Sequence, residues 1–190
     1  MTPERLSTAD RARLLELARE AIAARLKGER PPARDFGGAL SERRGAFVTL
    51  TRRADGSLRG CVGYVHAAFP LWETVSRAAE GAATEDGRFD PVVLEELEGL
   101  EIEISVLAPL RPIKPEEVEV GTHGLLIQRS SHHGLLLPQV PIEHEWDRPT
   151  FLDQVCRKAG LPLGAWRDPK AELLGFTAEV FGEAKAADEG

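Results

Sequence analysis

Two strand-like runs, GAFVTLT (45–51) and SLRGCVGYV (57–65), flank the segment RRADG, and the Asp55-Gly56 pair in it is a strong hairpin signal. This stretch constrains the chain most, because it commits the region to an antiparallel sheet. Parity along the second run puts Arg59, Cys61 and Gly63 on one face and Leu58, Gly60, Val62 and Tyr64 on the other. Glycine weakens a strand, so Gly60 and Gly63 need a reason. In one reading they bare the backbone for a ligand, with Arg59 as a cation beside a reactive Cys61 thiol. In the other, Cys61 fills a small core space and the glycines permit a bulge or close sheet packing.

The flanking segments read clearly. Leu14, Ala18, Ile22 and Leu26 recur with helical period and predict a helix over 8–27. Ser7 and Asp10 have the spacing of a capping box, and Gly28 followed by Pro31-Pro32 ends the helix. A second helix is expected over 70–83, where Leu71, Val75, Ala78, Ala79 and Ala82 form a narrow stripe suited to close packing. LEIEISVL (100–107) alternates as a half-buried strand. HGLLIQR and HGLLLPQV around SSHHG predict a hairpin over 124–139. RPTFLDQVCRKAG predicts a helix over 149–160, with Cys156 in its core face, and ELLGFTAEVFGE reads as one last strand over 173–181. Residues 184–190 are expected to fray. Strands and helices mix without βαβ alternation. The expected fold is therefore α+β, a mostly antiparallel sheet with flanking helices in one domain over 1–183.

Charge and composition narrow the function classes. A net charge of −7 argues against a broad nucleic-acid surface. The longest apolar runs are too short to span a bilayer, and the charged N-terminal segment carries no secretory signal. Two distant cysteines make no disulfide framework, so a reduced, cytoplasmic protein is expected. No HExxH, CxxC, GxGxxG or GxxxxGK pattern occurs, so neither a metal nor another cofactor is expected.

A nucleophilic thiol wants a base. Of the five histidines, His123, between Gly121 and Gly124 at a loop-to-strand junction, is the best candidate partner for Cys61. His132 and His133 read as a polar hairpin tip, and His144 as a loop residue. EDGRFDP (85–91) places Asp86 and Arg88 around Phe89. Either Arg88 clamps a ligand carboxylate or phosphate, or the loop satisfies itself through Asx hydrogen bonds. The candidate catalytic set is thus Cys61, Arg59 and His123. The candidate ligand-binding set is Gly60, Gly63, Arg88, Asp86 and Gln139.

The ordered series GAFVTL, LRGCVG, DGRFDPV, EISVL, VGTHGLLI, LLLPQV, EWD, FLDQVCRKAGL and FTAEVFGE resembles the AMMECR domain family from about Gly45 to Glu183. The chain looks most like the compact stand-alone prokaryotic members, the protein A type of a system that also holds a Memo-type and a radical-SAM protein. The resemblance implies an α+β fold in which a larger lobe meets a smaller one at a cleft holding the Arg59-Gly60-Cys61 segment. Arg59, Gly60, Cys61 and Gly63 match the family pattern, whereas Val62 stands where Ile is usual and Gly87 where Pro is usual. Pro141 and Glu145, in the loop before Trp146, are further departures. The resemblance implies no particular reaction. Two readings follow: a component binding a small ligand or a partner, plausibly the Memo-type or radical-SAM protein, and a thiol-dependent enzyme using Cys61.

Overall fold

In the computed structural model, which describes residues 5–31, 34 and 36–183, the chain divides into two compact units: Met1–Leu107 with Glu179–Gly190, and Ala108–Ala178. The helices and two antiparallel sheets make a mixed α+β fold. The expected frayed end at 184–190 lies outside the described residues.

The first unit is built on the hairpin. Strands β1 (Ala46–Arg52) and β2 (Leu58–Tyr64) are joined by a turn in which Asp55 Oδ1 accepts the Ser57 N–H at 2.9 Å and Gly56 takes φ +69°. After helices α1 (Thr8–Leu26) and α2 (Leu71–Thr84) come β3 (Leu100–Leu107) and, much later in the chain, β8 (Ala178–Gly182). The sheet order is β2-β1-β3-β8, with β1 antiparallel to both neighbours. The Ser7–Asp10 capping box starts α1, and a left-handed Gly28 follows its end.

Both helices cover one face of this sheet. Leu14, Ala18 and Ile22 of α1 and Val75, Ala78, Ala79 and Ala82 of α2 bury against Val48, Leu50, Ile102, Ile104 and Val106. The alanine stripe lets α2 approach until backbone meets backbone. A Cβ on Gly60 would collide with the Ala82 carbonyl, and one on Gly81 would stand 2.9 Å from Val62 Cγ1. Gly60 is therefore a contact point between strand and helix.

The hairpin register carries the irregularity that one reading of the glycines allowed, and it falls at Arg59. Leu50 faces Gly60, but Thr51 faces Leu58, so Arg59 has no opposite residue and forms a β-bulge. The bulge overturns the simple parity expected for β2. Leu58 shares its sheet face with Thr51, whereas Gly60 shares its face with the core residue Leu50.

The second unit has its own sheet, ordered β4-β7-β5-β6: β4 (Arg111–Pro112), β5 (Gly124–Arg129), β6 (His132–Leu136) and β7 (Glu172–Phe176). A short α3 (Val140–Glu143) precedes α4 (Arg148–Lys158), whose N-cap Asp147 accepts the Thr150 N–H at 2.9 Å. Phe151, Leu152, Val155 and Cys156 of α4 bury against Leu125, Ile127 and Leu173. Burial pushes the Cys156 thiol pKa up, consistent with a core residue. The segment read as one last strand is two strands, β7 and β8, parted at Thr177 and belonging to different sheets.

Candidate functional site

The bulge at Arg59 determines what surrounds Cys61. Arg52 and Ser57 lie opposite each other at the turn. Carried along β2 unchanged, that register would set Cys61 opposite Val48, on the face buried by the helices. The bulge advances the pairing by one, so Cys61 lies opposite Thr49, on the other face and half-buried. There the Thr49 hydroxyl donates to Cys61 Sγ at 3.4 Å.

The same bulge re-aims Arg59, with the outcome opposite to the expected Arg59–Cys61 pair. Only 5% exposed, Arg59 donates from Nε and Nη2 to the two carboxylate oxygens of Glu96, at 3.2 and 3.0 Å, and from Nη1 to the Asp90 carbonyl at 2.8 Å. Glu96 also accepts the Val93 N–H, and these bonds, the Arg59 one foremost, hold its pKa below the ordinary carboxylate range. Arg59 thus anchors the 3-10 turn Leu94–Gly99 to the strand, with its donors committed to protein oxygens.

A second cation, Arg88, is joined to the Cys61 backbone through Asp86. Strand β2 is a sheet edge, and the Cys61 N–H donates to Asp86 Oδ2 at 2.9 Å. Asp86 lies just beyond the end of α2, its side chain 7% exposed. It accepts Arg88 Nε on Oδ1 at 2.9 Å and Arg88 Nη2 on Oδ2 at 2.7 Å. The Arg88 hydrogen bond, followed by the Cys61 and Arg88 backbone donors, depresses the Asp86 pKa strongly despite burial. The Arg88 pKa is raised, chiefly by its hydrogen bond to Asp86. The Arg88 side chain nevertheless remains 57% exposed and lies over the Phe89 ring at 5.5 Å. The loop therefore satisfies itself, as one of the two expectations had it, while its guanidinium stays exposed.

The other candidates have structural surroundings. Gly60 abuts α2, and a Cβ on Gly63 would run into the Phe47 ring, so the space expected for a ligand at these glycines is occupied by protein. His123 belongs to the second unit, where Nδ1 accepts the Glu119 N–H at 3.0 Å and closes a turn. Gln139 is in that unit too, and its backbone carbonyl starts α3 by accepting from Ile142 and Glu143. Within the first unit, Cys61, Asp86 and Arg88 form one constellation. Sequence reasoning missed Thr49 and Glu96. Thr49 follows only from the bulged register, and the contact of Glu96 with Arg59 crosses 37 residues. Among the described residues, no group of three or more His, Cys, Asp or Glu could hold a metal ion, and no helix is long and apolar enough to cross a membrane.

The AMMECR1 family model matches residues 15–181. A protein of Thermococcus gammatolerans is 45% identical over 181 residues, covering 90% of this chain and 88% of its own. The protein MK0488 of Methanopyrus kandleri is 41% identical over 193 residues, covering 95% and 91%. Among solved structures, the crystal structure of the uncharacterized protein PH0010 from Pyrococcus horikoshii superposes with a TM-score of 0.84 at 42% identity, covering 90% of this chain and 89% of that one.

Proposed function

The chain belongs to the AMMECR1 family, and on that premise we propose that it is a cytoplasmic binding component that acts with Memo-type and radical-SAM proteins and grips an acidic group of its ligand or partner with Arg88. One observation carries this reading. The Asp86 carboxylate fixes the Arg88 guanidinium in a two-bond fork while most of the Arg88 side chain stays in solvent beside Cys61. A guanidinium fixed in this way loses little freedom when it meets a carboxylate or phosphate. The test is sedimentation of the purified chain with the Memo-type and radical-SAM proteins of the same genome. Arg88→Ala is expected to weaken complex formation about tenfold, and Cys61→Ser to leave it intact. Failure of either partner to bind, or full binding by Arg88→Ala, overturns the proposal.

The Thr49 hydroxyl on Sγ, and an exposed Arg88 held by the carboxylate that also accepts the Cys61 N–H, favour a second reading, a thiol-dependent enzyme. In it the Cys61 thiol gives its proton to solvent, and the thiolate adds to a carbonyl carbon as the C=O π pair moves onto oxygen, with Arg88 in the role first expected of Arg59. Iodoacetamide alkylation of Cys61 is then expected to follow a thiol pKa below the ordinary value of about 8.5, and to shift upward in Arg88→Ala. Buried Cys156 serves as the unreactive internal control. Alkylation of Cys61 no faster than that of a free peptide thiol overturns this second reading.

A further inference from the structure

The first unit has a concavity on the helix-covered side of its sheet. It is a cavity of about 460 Å³, within the size range of small-molecule sites. Trp72, Ser76 and Glu80 form one stripe along α2 at four-residue spacing, with Arg77 beside them. Tyr64, at the end of β2, and Arg25, in the last turn of α1, also line it. Tyr64 lies opposite Ala46, on the core face of the sheet, whereas Cys61 lies on the other face. The cavity is therefore separate from the Cys61 constellation.

The charges here are unevenly satisfied. Arg77 donates to Glu73, with Nε at 2.9 Å and Nη2 at 2.8 Å, and lies over the Phe69 ring at 4.4 Å. Arg25 pairs with Glu85 at 3.8 Å. Glu80 forms no ion pair within 4 Å among the described residues; Arg25 and Arg77 attract it from farther off, Glu85 repels it, and the Ser76 side chain is its hydrogen-bond partner. Burial raises its pKa, the mark of a carboxylate that gains from a counter-charge. The lining holds three carboxylates, Glu73, Glu80 and Glu85, against two guanidinium groups, Arg25 and Arg77, so its charge balance favours a cation.

We propose that this cavity binds a small organic cation bearing a primary ammonium group, with the ammonium on the Glu80 carboxylate and the carbon chain between Trp72 and Tyr64. The carboxylate and the Ser76 hydroxyl supply hydrogen-bond acceptors that an N–H cation can use and a quaternary one cannot. The aromatic walls add cation–π and apolar contact.

The test uses the full chain and n-butylammonium chloride at constant ionic strength. Each of the three tryptophans contributes one indole N–H signal to the ¹H–¹⁵N spectrum, and Trp72→Phe assigns that of Trp72. The expected result is a saturable shift of the Trp72 signal in the millimolar range, with the signals of Trp146 and Trp166, which lie in the second unit, unmoved. Glu80→Gln, which keeps the size and the Ser76 contact, is expected to weaken binding about tenfold. Ser76→Ala is expected to weaken it less. The dispersion of the same spectra shows that each variant is folded. Absence of a saturable Trp72 shift, equal binding by Glu80→Gln, or an equal response to tetramethylammonium or to butyrate overturns the proposal.

Discussion

Asp86 bears on two neighbours at once. Its carboxylate caps an edge-strand N–H that would otherwise be open to pairing with another chain, and it holds Arg88 in place. Because its folded pKa is depressed below the unfolded carboxylate value, its contribution to stability is fully present above about pH 5. That contribution is lost as pH falls through the carboxylate range towards the folded pKa. Urea midpoints of the wild type and Asp86→Asn, measured from pH 7 down to pH 3, are expected to differ by a constant amount to about pH 5 and then to converge. A difference unchanged across that range would show that the depressed pKa contributes no stability. Both members of the Asp86–Arg88 pair were readable in EDGRFDP, since they are two residues apart and such short-range bonds follow from turn chemistry. The neighbourhood of Cys61 was not readable, because it depends on a one-residue shift in register.

Between elements, the β2–α2 contact rests on small residues from both sides. Gly60 meets Ala82, and Val62 meets Gly81. Gly60→Ala puts a methyl group against a carbonyl that cannot rotate away, and it is expected to destabilise the protein by about 3 kcal/mol through overpacking. Gly87→Ala is the control: its Cβ would have nothing within 4 Å, so a change within about 0.5 kcal/mol is expected. Equal stability of the two variants in urea unfolding would refute the close-contact role of Gly60. The alanine stripe announced tight packing of α2, and the glycines announced an irregular strand. Neither signal said that Gly60 meets the helix while Arg59 forms the bulge, because that choice lies in the fit of two elements. Likewise ELLGFTAEVFGE reads as one strand, since alternation continues through Thr177, while the pairing partners differ on either side of it.

For the whole chain, the division into units leads to a further expectation. The second unit is continuous, with a core of Leu125, Ile127, Phe151, Leu152 and Val155. The first unit is completed by the last part of the chain. Glu179 reaches Arg11 and Arg44, and Glu183 reaches Arg19, Arg53 and the Ile102 N–H. A fragment of residues 108–178 is therefore expected to melt cooperatively with a near-ultraviolet signal from Trp146 and Trp166. A fragment of residues 1–107, lacking β8 and both glutamates, is expected not to. Loss of cooperative melting in the 108–178 fragment, or its presence in 1–107, would contradict that division. The sequence by itself determined most of the helices and strands, their α+β class and the family, because periodicity, caps and turn pairs act over a few residues. Only the tertiary structure decided which face Cys61 takes, that Glu96 claims Arg59, and that Asp86 joins Arg88 to the Cys61 strand. Each of those outcomes depends on a register shift or on a charge brought close by packing, and neither has a local signature.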